Sequence, residues 1–150
     1  MHAHLPYHLD ISFLAGQVRG IGLCGENRFA TGSRDKTVRL WACNDTEGHG
    51  YNVERTMVGH TSFVGPVAWI SPNDELPKGG IVSGGMDTLV IVWDGENGNI
   101  LYMLRGHELQ VTSISVDEKG DILSASIDKY KLMIYFIKMH LNQAVFFNNF

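Results

Sequence analysis

Residues 34–41 read RDKTVRLW, and residues 87–93 read DTLVIVW. In each stretch an Asp stands six positions ahead of a Trp, Asp35 before Trp41 and Asp87 before Trp93. A third stretch, DKYKLMI, opens on Asp128 but carries Ile134 where the Trp is due. An interval that returns and then fails marks an internal repeat, and a repeat decides the fold before any local feature does.

Working outward, Gly59-His60 and Gly106-His107 each stand ahead of a Val four positions beyond the His, namely Val64 and Val111. The same count back from Val18 lands on Phe13-Leu14, so the first copy has lost its His. Alternation then runs through Val18, Ile21 and Leu23, through Val64, Val67 and Trp69, and through Val111, Ile114 and Val116. That pattern predicts a half-buried first strand in every copy. FATGS, GIVSGG and DILSAS supply second strands, TVRLW and TLVIVW third strands, and ERTMV and ILYML fourth strands. The fourth strand of the second copy follows the turn GENG. Two surplus stretches, CNDTEGHGY and SPNDELPKGG, fall at turns, and without them one unit is 41 residues long. A four-stranded propeller blade with a Gly-His…Trp-Asp signature runs roughly 40 to 45.

The fold expected is therefore all-β, a partial WD-repeat β-propeller of three blades that does not close into a ring. Residues 1–12 form an N-terminal arm, with Tyr7–Ser12 at the place of a fourth strand. Residues 13–58 form the first blade, 59–105 a complete second blade, 106–136 a partial third blade, and 137–150 a divergent tail. Rings need about 4 to 8 blades, so three copies imply a fragment or an open arc that needs partners. After Lys129 the pattern stops, and Phe147-Asn148 stands where the next Gly-His is due. The end is then a degenerate strand with a tail, or the product of a truncated or mis-spliced gene. Outer blades with uncovered surface predict self-association of the isolated chain.

Four positions before each Asp of the repeat lies a hydroxyl: Thr31, Ser83 and Ser124. Trp offers only a donor and Asp only acceptors, so a His and a hydroxyl between them complete a buried hydrogen-bonded chain. The middle copy has all four members, His60, Ser83, Asp87 and Trp93. The first keeps Thr31, Asp35 and Trp41, and the third keeps His107, Ser124 and Asp128. Such a set ties strands together because each buried polar group left unpaired costs about 1–3 kcal/mol.

The strings SRDKTVRLW, GHTSFVGPVAWISP with NDELPKGG, GGIVSGGMDTLVIVWD and LRGHELQVTSISVDEKGDILSASID resemble the N-terminal propeller of the phospholipase A-2-activating protein family, over residues 12 to 129. The resemblance implies a non-enzymatic adaptor of ubiquitin-dependent protein turnover and ubiquitin recycling, binding ubiquitin on the propeller. It also implies work with a hexameric AAA segregase through downstream domains that these residues do not include. A partner is expected on the rim formed by residues just before each Asp and those leading into each first strand. These are Arg34, Met86 and Ile127, with Gln17, Phe63 and Gln110 beside them. Phe63 and Met86 suit an apolar patch, since hot spots favour aromatic anchors and Met adapts its shape. The alternative for Phe63 is packing inside the blade. A generic scaffold for another protein is the rival function, and a non-functional fragment a further one.

Other chemistries fare worse. His60, Ser83 and Asp87 have the residue types of a hydrolase triad, but IVSGGM is not the strained elbow a nucleophile needs, and the trio recurs as His107, Ser124 and Asp128, as a structural lock would. His2, His4 and His8 lack the paired, closely spaced ligands of a metal site, and no GK[ST] follows the Gly pairs, so neither metal nor cofactor is expected. A net charge of −4 without runs of one sign excludes a nucleic-acid groove or an anionic membrane as the natural partner. No stretch is apolar enough to span a bilayer. Two cysteines, Cys24 and Cys43, and no secretory signal in MHAHLPYHLDISFLA point to a cytoplasmic or nuclear protein that is not secreted, which leaves the Asn44-Asp45-Thr46 sequon without meaning.

Overall fold

The computed structural model describes residues 16–43 and 50–128, and the backbone of 132–135. Among them every regular element is a strand, giving three antiparallel sheets whose strand order follows the chain. The first contains β1 (Val18–Leu23), β2 (Arg28–Ser33), β3 (Thr37–Cys43) and β4 (Tyr51–Val58). The second contains β5 (Val64–Ile70), β6 (Gly80–Gly85), β7 (Val90–Asp94) and β8 (Ile100–Leu104). The third holds β9 (Val111–Val116), β10 (Ile122–Ser126) and β11 (Leu132–Tyr135). The sheets do not join into a ring among the described residues, so the architecture is a partial β-propeller. The readings made for Tyr7–Ser12, Phe13-Leu14, the three N-terminal His, the Asn44 sequon, Lys129 and residues 137–150 lie outside the described residues.

Each sheet is a meander because the connections are short and carry turn chemistry. Asn27 after Gly25 takes φ 57° between β1 and β2, a conformation Asn reaches more readily than most residues. The turn from β2 to β3 places Lys36 at φ 71°, and its counterpart in the second sheet places Thr88 at the same angle. A β-branched residue there is strained by about 1–3 kcal/mol. What holds both turns is the preceding Asp, whose Oδ1 accepts the amide of Thr37 at 3.0 Å or of Leu89 at 3.3 Å.

The sheets stack face to face, with β1, β5 and β9 adjacent at the inner edge. One core lies between the first two blades, where Ala30, Val38, Leu40 and Met57 meet Val64, Val67, Ile81, Ile91 and Trp93. The other lies between the second and third, where Ile70, Val82, Val90, Val92 and Leu104 meet Val111 and Ile122. The central blade is covered on both faces, so β6 is buried at every position and β7 at all but its last. This is why VIVW reads as a continuous apolar run. At the inner edge the backbones nearly touch. A Cβ on Gly20 would overlap the Gly65 carbonyl, and one on Gly22 would crowd that of Val67.

One expectation fails. The first strand was to be half-buried in every copy, yet Ile21 is 66% and Leu23 79% exposed. Their counterparts Val67, Ile114 and Val116 pack against a preceding blade, and no described residue covers β1 in that way. The alternation is intact, and among the described residues no blade precedes β1 to bury it.

Candidate functional site

The central blade carries a continuous buried chain of hydrogen bonds. Trp93 Nε1 donates to Ser83 Oγ at 2.7 Å, Ser83 Oγ lies 2.8 Å from His60 Nε2, and His60 Nδ1 lies 2.9 Å from Asp87 Oδ1. The two ends fix the direction. The indole can only donate and the carboxylate only accept, so Nδ1 carries the ring proton and the Ser83 hydroxyl donates to Nε2. Asp87 also accepts the Thr61 amide at 2.7 Å, which fastens the residue after the His to the same turn. Burial pushes the Asp87 carboxyl up, and the bonds from His60, Thr61 and Leu89 outweigh it, holding the acid below its ordinary range.

The third blade repeats the arrangement up to its missing Trp. His107 Nδ1 is 3.1 Å from Asp128 Oδ2, its Nε2 is 2.7 Å from Ser124 Oγ, and the Glu108 amide donates to Asp128 at 2.8 Å. Burial raises the Asp128 carboxyl, but the Glu108 amide and His107 bring it below the usual value. Asp128 Oδ1 has no partner among the described residues. In the other blades that oxygen takes the amide two residues on, and here residue 130 lies outside the described set.

In the first blade the chain is split. Trp41 Nε1 donates to Thr31 Oγ1 at 3.0 Å, but Asp35 is held by Thr37 and by Arg39, whose Nη2 donates to Asp35 Oδ2 at 3.2 Å. Where a His is lacking, Arg39 supplies a donor to the turn acid. Sequence reasoning missed it, although the signal was available: the position four after the turn Asp is Ile91 in the second copy and Leu132 in the third. Burial again raises the acid, while Thr37, Ser33 and Arg39 draw Asp35 below its ordinary value.

The locked turns build one rim. Arg34 N donates to Gln17 O at 2.9 Å, Met86 N to Phe63 O at 2.9 Å, and Ile127 N to Gln110 O at 3.3 Å, so the six rim residues form three equivalent backbone pairs. Phe63 is half-buried. The Arg34 guanidinium sits 4.7 Å from its ring centre, within the range of a cation–π contact. A groove of about 460 Å³, open to solvent, is lined by Gly16, Gln17, Arg34, Asp35 and Phe63. Met86 and Ile127 are exposed, Gln110 is half-buried, and Leu109 beside it is a further exposed apolar side chain that the sequence reading passed over.

Ser83 is fully buried, and its oxygen is engaged by both His60 and Trp93, while Ser124 is 1% exposed. A carbonyl carbon has no approach to either oxygen, so these trios have the composition of a triad without its access. Cys24 is enclosed as well, and burial pushes its thiol up to about 12, far from the thiolate that makes a reactive cysteine. The described residues contain no group of three or more His, Cys, Asp or Glu that could hold a metal, and no helix long and apolar enough to cross a membrane.

Comparison with known proteins puts these blades in context. The family model described as WD domain, G-beta repeat, matches residues 10–42, 51–94 and 98–130. Each later match begins on the outer strand side of one sheet and ends in the next, so successive repeats interlock by one strand. The chain is 37% identical to the phospholipase A-2-activating protein of Xenopus laevis over 81% of its own length and 16% of that protein's. It is 34% identical to the protein transport protein sec13 of Neurospora crassa, over 77% of this chain and 38% of the relative. To a p21-activated protein kinase-interacting protein 1-like protein of Danio rerio it is 34% identical over 69% of this chain and 26% of that one. The chain thus spans well under half the length of each of these relatives.

Proposed function

The chain belongs to the WD-repeat family, and on that premise we propose that it is a non-enzymatic protein-binding module whose rim grips ubiquitin. The observation that carries this reading is the set of apolar side chains on one rim. Phe63, Met86 and Ile127 are held there by equivalent backbone bonds, with Leu109 and Arg34 beside them. A rigid aromatic and Met patch with a single Arg at its edge suits a small apolar patch on a folded partner. Ubiquitin as that partner rests on the likeness to the phospholipase A-2-activating protein family. A role in ubiquitin-dependent catabolism and recycling follows from the same likeness, as does a cytoplasmic or nuclear setting. An AAA segregase would be engaged through domains outside these residues. The locks beneath the rim have a structural task, which is to keep the turns in register.

The test is binding to immobilised ubiquitin by the wild-type chain and by Phe63→Ala and Met86→Ala variants. Saturable binding that weakens at least tenfold in both variants, with unchanged thermal melting, supports the reading. Likeness to a protein transport protein favours a second reading, a scaffold for a different protein. Absence of ubiquitin binding by a folded chain that still captures a protein of the transport machinery would select it.

A further inference from the structure

The three rim turns do not carry the same charge. The residue just before the turn Asp is Arg34 in the first blade, Met86 in the second and Ile127 in the third. The Arg34 side chain crosses to the second blade, where its guanidinium carbon lies 4.7 Å from the centre of the Phe63 ring. Both residues are fixed at the backbone, since the Arg34 amide donates to the Gln17 carbonyl and the Phe63 carbonyl accepts the Met86 amide, each at 2.9 Å.

A guanidinium carries five N–H donors and no acceptor. Among the described residues no hydrogen bond or ion pair engages those of Arg34. Asp35, the one acid among the residues lining the groove, is already committed. Its Oδ1 accepts the Thr37 amide at 3.0 Å and the Thr37 hydroxyl at 2.6 Å, and its Oδ2 accepts from Arg39 Nη2 at 3.2 Å. An arginine over an aromatic face gains a cation–π contact, keeps its in-plane N–H groups available and matches a carboxylate with two parallel bonds. Lys36, exposed on the same turn, adds a second positive charge, which draws an acid in from solution.

The surroundings choose between anions. Asp35 is held below its ordinary value, so it is ionised at neutral pH in the wall of the same groove. It repels a doubly charged phosphate more than a singly charged carboxylate. The groove, about 460 Å³, is open to solvent, so a chain can run across it and lower one side chain in. Met86, bonded to Phe63 through the backbone and 42% exposed, continues the surface as an apolar floor.

We propose that this groove is the subsite that sets the rim's specificity, taking the Asp or Glu side chain of a protein segment whose neighbouring apolar residue rests on Phe63 and Met86. It rests on the rim being a protein-binding surface and does not require that the protein be ubiquitin.

Selection from a phage-displayed library of random peptides, run in parallel on the immobilised full chain and on its Arg34→Glu variant, tests this. Peptides joined to the phage coat by their C-terminal end have no free terminal carboxylate, so an enriched acid is a side chain. The wild type should enrich an Asp or Glu next to Leu, Ile, Val or Phe, and the variant should enrich Lys or Arg in place of the acid. A synthetic copy of the wild-type peptide should bind Arg34→Glu at least about tenfold more weakly. A purely structural role for Arg34 would not reverse the selected charge. Circular dichroism and thermal melting check the fold. Should Arg34→Glu melt early, Arg34→Gln stays polar without the repulsion and should lose the preference for an acid. No enriched sequence, enriched sequences without an acid, or the same acids enriched on both proteins would overturn the proposal. If acidic peptides are enriched while ubiquitin does not bind the folded chain, the ubiquitin reading falls and this one stands. If ubiquitin binds and no acid is selected, the reverse holds.

Discussion

Trp93 donates its indole N–H to the Ser83 hydroxyl at 2.7 Å, tying the third strand of the central blade to the second across ten positions of sequence. The same oxygen faces His60, so one small side chain joins two strands to the segment between β4 and β5. Ser83→Ala leaves an indole N–H and a ring nitrogen without partners in a fully buried place. The expected loss is about 1–3 kcal/mol, toward the upper end, read as a lower urea midpoint at unchanged slope. Ser124→Ala, where His107 is the hydroxyl's described partner, should cost less.

Acid should loosen the blades in a defined direction. Asp35, Asp87 and Asp128 all titrate below the ordinary value of 3.8 in the folded chain. An acid depressed in this way contributes stability that is fully present above its unfolded value and is lost as pH falls through the folded one. Urea midpoints should be flat between neutral pH and about 5 for this contribution and drop below 3.8. Asp87→Asn should lower stability at neutral pH and shrink the drop on acidification.

Arg39 takes the place of the missing His as a donor to the turn acid, and its removal should be felt in the first blade. The pair it forms with Asp35 is mostly sheltered, at 15% and 13% side-chain exposure. Arg39→Leu should cost about 1.5–3 kcal/mol, the range for hydrogen bonds to charged groups. Adding Asp35→Asn to it should cost less than the sum of the single changes, because the two residues act as one unit. A double-mutant cycle in urea measures this directly.

These contrasts show what a sequence can and cannot convey here. The lock was legible because its four residue types are chemically complementary and recur at fixed intervals, which needs no knowledge of packing. The meander of strands was legible from alternation and turn residues. Arg39 was not, because an Arg on a strand reads as solvent-facing until the neighbouring acid is seen to lack its His. The Thr61 and Glu108 amides were invisible because a backbone N–H leaves no mark on residue identity. Ile21 and Leu23 were misread for a different reason: alternation tells which face a side chain takes, and burial depends on whether another blade arrives to cover it.

The inner edge makes a sharp distinction between adjacent residues. Gly20→Ala would drive a methyl into the Gly65 carbonyl, so it should destabilise by about 1–3 kcal/mol, the usual cost of overpacking. Ile21→Ser, one position on but exposed, should change the single-copy stability by no more than about 0.5 kcal/mol. Thermal melts of the two variants in dilute solution separate them.

The functional claim is tested most directly by titrating isotope-labelled ubiquitin with the folded chain and following its amide resonances. The account predicts saturable shifts confined to one apolar patch of ubiquitin and abolished by Phe63→Ala. Resonances that stay in place throughout the titration, with the chain folded and in excess, would contradict it.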